Sequence, residues 1–388
     1  MRYLLSCLFL LLLGCSSIAP VSLTNQSSER DNEWRIENLE DSGLDVEKMQ
    51  QLTQRLKSGW HPNAHMVLVE YGGKLVYENY LSGEDESWGQ PVGYRVFAAD
   101  SVHDLRSISK SVTSLLLGIA LGDDFETALS RPIIEYFPEF ADQVAPGVEQ
   151  VTLHQVLTMS AGFKWNEMVM PYAYEKNDER RLYDEPDPVQ YALTRPLHTK
   201  PGESWYYNGG MTMVVAALIE KISGRPFLEF AREKLGDPLG ISKSDMEWRG
   251  LGIWRSRPTL PSAASGLRAT ARDLAKIGSL VLNEGRWKGR QIVPRAWILA
   301  STQRHMEQSF PTIWSLYGIY GYGYQWWHGN FSGEYGDFTA ITAVGYGGQR
   351  LFVIPEKNLV VTIFAGNYGN GIWRMSEQVL AEIVAAAP

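Results

Sequence analysis

The strand signals of this chain stand at its two ends, and any fold it adopts must bring those ends together. Met66-Val67-Leu68-Val69-Glu70-Tyr71 and Lys74-Leu75-Val76-Tyr77 are β-rich runs around Gly72-Gly73, the pattern of a hairpin. Far downstream the pattern returns as Gln349-Arg350-Leu351-Phe352-Val353-Ile354, the turn Pro355-Glu356-Lys357-Asn358, and Leu359-Val360-Val361-Thr362-Ile363-Phe364. Helical signals fill the middle: Ser107 to Leu121 closed by Gly122, Met211 to Ile222 before Gly224, and Ala271 to Leu282 near Gly285. The economical architecture is an α/β fold. One antiparallel sheet is built from about 60–100 and 320–388, a helical region of about 105–300 is inserted between the halves, and a final helix from Met375 to Ala386 packs on the sheet. A site is then expected at the seam.

A core large enough for this is available, since 44% of the 388 residues are hydrophobic and 21% charged. The balance of 36 basic against 44 acidic residues gives a net charge of -8, which removes the electrostatic footprint of a nucleic-acid binder. The segment from Glu175 to Asp187 carries nine charged residues in thirteen and reads as an exposed loop near the seam.

The amino end reads as an address and an anchor. Arg2 is followed by an apolar run from Leu4 to Leu13, the length of a signal peptide rather than of a membrane span. It ends in Leu12-Leu13-Gly14-Cys15, which resembles the bacterial lipobox, so lipidation is expected on Cys15. The expected division is a signal peptide over 1–15, a flexible tether over 16–35 and a folded domain over 36–388. Acyl chains on Cys15 would hold the protein to a membrane without a spanning helix, and Ser16 points to the outer membrane, periplasmic side. Cys7 and Cys15 are the only cysteines, so the body has no thiol pair.

Several chemistries lack their signatures. No His is followed by Glu, and no Ser has Gly both two before and two after it, so H-E-x-x-H and the nucleophile elbow are missing. Neither a Walker loop nor G-x-G-x-x-G occurs. No metal and no organic cofactor is expected.

One constellation remains. Of thirteen lysines only Lys110 has a serine three positions earlier, Ser107, and the pair opens a helix with Asp104 as a plausible cap. Ser107, Lys110, Ser111 and Ser114 share one face of that helix with Gly118, opposite Ile108, Val112, Leu115, Leu116 and Ile119. A hydroxyl becomes nucleophilic when a base lies within hydrogen-bond reach, and a lysine one turn along, partly buried at the positive helix end, can serve. A second element, Trp205-Tyr206-Tyr207-Asn208-Gly209-Gly210, contains Y-x-N with Tyr206 first, directly before a helix of the inserted region. That phenol can relay a proton, and Asn208 can orient lysine and substrate carbonyl.

Ser107-x-x-Lys110, Tyr206-x-Asn208 and Gly345-Tyr346-Gly347-Gly348-Gln349 resemble, in order, the three motifs of class C β-lactamases and their penicillin-binding and esterase relatives. The resemblance extends through Lys110-Ser111-Val112-Thr113-Ser114, Ser265 to Ala275, and Phe352 to Lys357. It implies a β-lactamase/transpeptidase-like fold and an acyl-enzyme mechanism. Carried over, Ser107 is the nucleophile, Lys110 and Tyr206 share the acid/base work, and the Ser107 N–H is one oxyanion donor. The second donor is Tyr346 N–H, or Gln349 in the alternative register. Neither register supplies the family's third-motif lysine, whose loss removes a charge-assisted contact typically worth about 1.5–3 kcal/mol. That loss favours an uncharged small-molecule ester or amide over a β-lactam. Arg350 reads as a solvated strand arginine. Trp165, Tyr172, Tyr174, Trp326 and Trp327 are candidates for an aromatic acyl pocket. The rival expectations are a penicillin-binding protein or D-alanyl peptidase, and an idle envelope binding protein.

Overall fold

Asp45 and Gly59 bound the first helix, α1 (Val46–Ser58): the carboxylate accepts the Lys48 N–H and the glycine takes a left-handed φ of 77°, so both helix ends have partners. The computed structural model describes residues 35–388 apart from 88, 251, 253, 308–317, 333–335, 370 and 372–373. The apolar run, Cys7, Cys15 and the tether up to residue 34 lie outside the described residues. Ile36–Pro388 form one compact unit.

The chain continues through β1 (Ala64–Tyr71), β2 (Lys74–Tyr80), β3 (Ser82–Ser87), β4 (Gln90–Val96) and β5 (His103–Asp104). The helical region follows with α2 (Ile108–Leu121), α3 (Phe125–Ser130), α4 (Leu153–Leu157), α5 (Asp178–Leu182), α6 (Pro188–Leu193), α7 (Gly209–Ser223) and α8 (Phe227–Ala231). Then come β6 (Met246–Trp248), β7 (Leu267–Ala269), α9 (Ala271–Leu282), β8 (Arg286–Trp287), β9 (Arg290–Gln291) and α10 (Arg295–Thr302). The chain closes with β10 (Met306–Glu307), β11 (Gly318–Tyr322), β12 (Trp327–Phe331), β13 (Phe338–Gly345), β14 (Gln349–Ile354), β15 (Leu359–Ala365) and α11 (Met375–Ala386).

Both hairpins form, and the two chain ends meet. The antiparallel sheet runs β10-β11-β12-β13-β14-β15-β1-β2, with Val67 opposite Ile363 where the amino-terminal strand pairs with the carboxy-terminal one. Gly72 and Gly73 take φ of 61° and 75°, as a tight two-residue turn requires. Every residue of β14 and β15 is buried, because helices cover both faces. On one face α1 and α11 bring Met49, Leu52, Val379 and Ile383 against Val67, Val361 and Ile363. On the other α9 packs so closely that a Cβ at Gly278 would collide with Val360 and Leu351. The expectation of sheet over 60–100 needs one correction: β3 and β4 leave the large sheet and form a hairpin of their own. Helix α2 is buried from Ile108 to Gly118, so its polar face looks into the protein rather than into solvent.

Candidate functional site

Ser107 stands at the junction of β5 and α2. Arg106 before it takes a left-handed φ of 51°, unusual for a residue with a side chain, and this sharp turn delivers Ser107 to the helix N-terminus. Ser107 makes no side-chain cap bond, so its hydroxyl is left to other partners. Asp104 does not cap the helix as expected; it lies buried in β5 with its carboxylate 2.7 Å from Arg268 Nε. One turn along, Lys110 Nζ reaches Ser107 Oγ at 3.2 Å and the Ala264 carbonyl at 3.0 Å. Lys110 is 2% exposed, and its ammonium lies 4.8 Å from the centroid of the Tyr207 ring.

The tyrosine that meets this pair is Tyr207, not Tyr206. The Tyr207 hydroxyl is hydrogen-bonded to Ser107, and burial drives its ionisation well above the ordinary phenol range, with Glu167 pushing the same way. It is therefore a neutral phenol at rest. Tyr206 turns the other way, with its ring 6.4 Å from that of His198 and its N–H donated to the Met159 carbonyl at 2.7 Å. Neighbouring side chains of an extended segment point to opposite sides, so a shift of one residue exchanges the two phenols. Asn208 is likewise reassigned: its Oδ1 accepts the Met211 N–H at 3.2 Å as the N-cap of α7, which leaves it engaged with the backbone.

The group that interacts with the Lys110 charge is instead a buried carboxylate, Glu179. A Cβ at Gly209 would collide with Glu179 Oε2, so the glycine is what lets this carboxylate in. Glu179 Oε1 accepts from Tyr183 at 2.8 Å, whereas Oε2 is buried with no hydrogen-bond donor among the described residues. Burial, and next the Glu167 charge, raise Glu179 to about 7, opposed by Lys110. Glu167 is held by Trp165 Nε1 at 2.9 Å and by the Gly209 N–H at 2.7 Å.

These groups open into a cavity of about 380 Å³ bounded by Ser107, Glu167, Tyr172, Tyr207, Trp327 and Tyr346, among others, a size suited to a small molecule. Of the aromatic candidates, Tyr172 and Trp327 line it, Trp165 and Trp326 are fully buried in the core, and Tyr174 is exposed. Arg350 is not solvated: it is 4% exposed, lines the cavity, and donates from Nη1 to the carbonyls of Gly345 at 3.1 Å and Gln349 at 2.8 Å.

The third motif closes the site from the sheet. Gly345 pairs with Gln349 across the β13–β14 turn, and a Cβ at Gly345 would collide with the Leu105 carbonyl, so this strand end abuts the segment leading to Ser107. Tyr346 shares the cavity wall with Ser107. Gln349 is fully buried, its side-chain amide exchanging bonds with Ala365 at 2.6 and 3.1 Å, which favours the Tyr346 register.

A model of the Beta-lactamase family matches residues 50–371. The chain belongs to the β-lactamase family. It is a serine hydrolase of that superfamily. The 6-aminohexanoate-dimer hydrolase of Paenarthrobacter ureafaciens is 27% identical over 311 residues, spanning 76% of this chain and 70% of the relative. Esterase EstB of Burkholderia gladioli is 25% identical over 183 residues, 45% of each chain. Among solved structures, EstCE1, a hydrolase with promiscuous acyltransferase activity, superposes with a TM-score of 0.64 at 17% identity, over 88% of this chain and 97% of that one.

Sequence reasoning missed Tyr207, Glu167 and Glu179 in this hydrolase. The segment read as an exposed charged loop in fact forms α5, with Asn177, Asp178 and Glu179 buried. Two signals were available: Asn directly before a helix is a cap, and Gly209-Gly210 at the start of α7 marks a close approach.

Proposed function

We propose that the protein hydrolyses a small, uncharged ester or amide through an acyl-Ser107 intermediate. The observation that carries this reading is the buried Lys110 amine 3.2 Å from the Oγ of Ser107, a residue that lines the cavity. Ser107 Oγ attacks the carbonyl carbon and its proton passes to Lys110. The Ser107 and Tyr346 amides hold the oxyanion. Tyr207 then protonates the leaving group and is reprotonated from Lys110, after which water releases the acid by the reverse relay. Glu179, whose raised ionisation is opposed by the Lys110 charge, takes part in the same proton relay. The names of the ester and amide hydrolases among its relatives support this substrate class, as does the absence of a third-motif lysine.

A second reading, binding of β-lactams or cell-wall peptides, draws on Arg350, a cation in the cavity wall that can pair with a carboxylate. We place the chain in the cell envelope, lipid-anchored through Cys15; the support is the apolar run and the lipobox-like Leu12-Leu13-Gly14-Cys15.

The test is intact-protein mass spectrometry after a fluorophosphonate probe, with p-nitrophenyl esters and a fluorescent penicillin assayed in parallel. Wild type is expected to gain one adduct on Ser107 and to turn over short-chain esters, and Ser107→Ala to do neither. Equal turnover by the two proteins refutes the reading, and a long-lived penicillin adduct without ester turnover replaces it with the second.

A further inference from the structure

Three side chains behind the nucleophile turn point their lone pairs at one another. His65 on β1, Asp85 on β3 and His103 on β5 are 0%, 6% and 0% exposed, and one ligating atom of each lies within 4.8 Å of the others. His65 Nδ1 is 3.0 Å from His103 Nε2, and His103 Nε2 is 3.4 Å from Asp85 Oδ1.

The surroundings fix where the protons are. Asn63 Nδ2 donates to the Glu84 carbonyl at 2.9 Å, so Asn63 turns its Oδ1 to His65 Nε2, 3.2 Å away, and that nitrogen must carry the proton. His103 Nδ1 faces the Asp104 carbonyl at 3.0 Å and must also be N–H. The remaining nitrogens, His65 Nδ1 and His103 Nε2, are then both bare acceptors at contact distance. Asp85 adds a third acceptor: Arg95 holds Oδ2 at 2.8 Å, while Oδ1 is buried with no hydrogen-bond donor among the described residues. Three converging lone pairs with no proton between them repel unless a cation sits at their centre.

We propose that His65, Asp85 and His103 bind one Zn²⁺ ion as a structural site that ties β1, β3 and β5 together behind Ser107. Ligands about 2.0–2.1 Å from a tetrahedral zinc stand about 3.3 Å apart, close to the 3.0 and 3.4 Å separations here. Each ligand already has the outer partner that zinc ligands use to fix tautomer and orientation: Asn63 for His65, the Asp104 carbonyl for His103, and Arg95 for Asp85. Two glycines make room for this shell, since a Cβ at Gly83 would collide with Asn63 Oδ1, and one at Gly366 would lie 2.5 Å from Asn63 Nδ2 and 2.6 Å from His65 Cε1. The cluster does not appear among the residues of the catalytic cavity, so the ion takes no part in acylation. Ligands drawn from three strands match neither H-E-x-x-H nor a cysteine pattern, which is why motif reading expects no metal.

The site is closed, so metal enters as the chain folds. The full chain is produced in zinc-supplemented medium, and separately unfolded with chelator and refolded with Zn²⁺ or Co²⁺. One zinc per wild-type chain, the visible bands of tetrahedral cobalt, and a melting temperature several degrees above the metal-free protein are expected. Asp85→Asn, which retains the bond to Arg95, loses the stoichiometric metal and the thermal shift, as does His65→Gln. No stoichiometric zinc or cobalt in wild type by either route overturns the proposal, whether or not the variants fold. Zinc bound equally by wild type and Asp85→Asn overturns it too. Neither readout depends on hydrolysis.

Discussion

Glu179 and Glu70 are both buried glutamates raised to about 7, and burial is the leading cause in each. Their surroundings differ. Glu70, on β1, receives the Ser279 hydroxyl from α9 at 2.6 and 2.7 Å from its two oxygens, deep between sheet and helix. Glu179 leaves Oε2 without a donor, feels the Lys110 charge, and sits beside the glycine through which α7 approaches the nucleophile. The same perturbation thus accompanies a packing role in one place and, in the mechanism proposed above, a proton-handling role in the other. A shifted carboxyl indicates a function only where a second ionisable group and a cavity stand beside it.

The largest effect on the active side of this contrast is expected at Tyr207. Tyr207→Phe removes the only phenol bonded to Ser107 among the described residues and should lower kcat by about 10²–10⁴-fold, while Tyr206→Phe stays near wild type. Steady-state kinetics on an ester substrate decides it, and the opposite ranking would restore Tyr206 as the tyrosine of the Y-x-N motif. Next is Glu179→Gln. Glu179 can take up a proton from the relay only when it is itself ionised, so wild-type kcat/KM should rise with pH through a midpoint near 7, where Glu179 gives up its proton. The variant should lose that limb and, at pH 7, roughly tenfold to hundredfold in rate. A pH profile that keeps its midpoint in the variant would show that Glu179 only packs.

How far the sequence led can be traced along one helix boundary. The Ser107–Lys110 spacing fixes its own geometry, because residues three apart on an α-helix share a face, and the strand signals at the two chain ends had each other to pair with. The Tyr206–Asn208 segment has no such internal ruler. Its register depends on where α7 begins, and Asn208, spent as a cap, hands the next position to Gly209. The charge run around Glu179 misled for a related reason: charge density signals solvent on average, but this carboxylate is drawn inward by space that only a glycine on another element provides. The register of the third motif stayed open because turn residues alone do not determine it, and the sheet pairing of Gly345 with Gln349 favours Tyr346.

The smallest effect on turnover, and the sharpest control, is Glu70→Gln. The folded protein holds Glu70 at about 7 against an ordinary 4.5, so its acid form is favoured by folding. That contribution is complete below about pH 4.5 and is lost as pH climbs to about 7, after which the ionised carboxylate stays buried at a cost of about 3 kcal/mol. A glutamine keeps an acceptor for Ser279 and never ionises. Urea unfolding at pH 5 and pH 8 should therefore show the variant gaining on wild type as pH rises, by up to about 3 kcal/mol. All other carboxylates are common to both proteins and cancel in the difference. Its kcat/KM profile should overlay that of wild type, midpoint included; if Glu70→Gln instead flattens that profile as Glu179→Gln does, the distinction between the two glutamates collapses and the midpoint belongs to the fold rather than to the site.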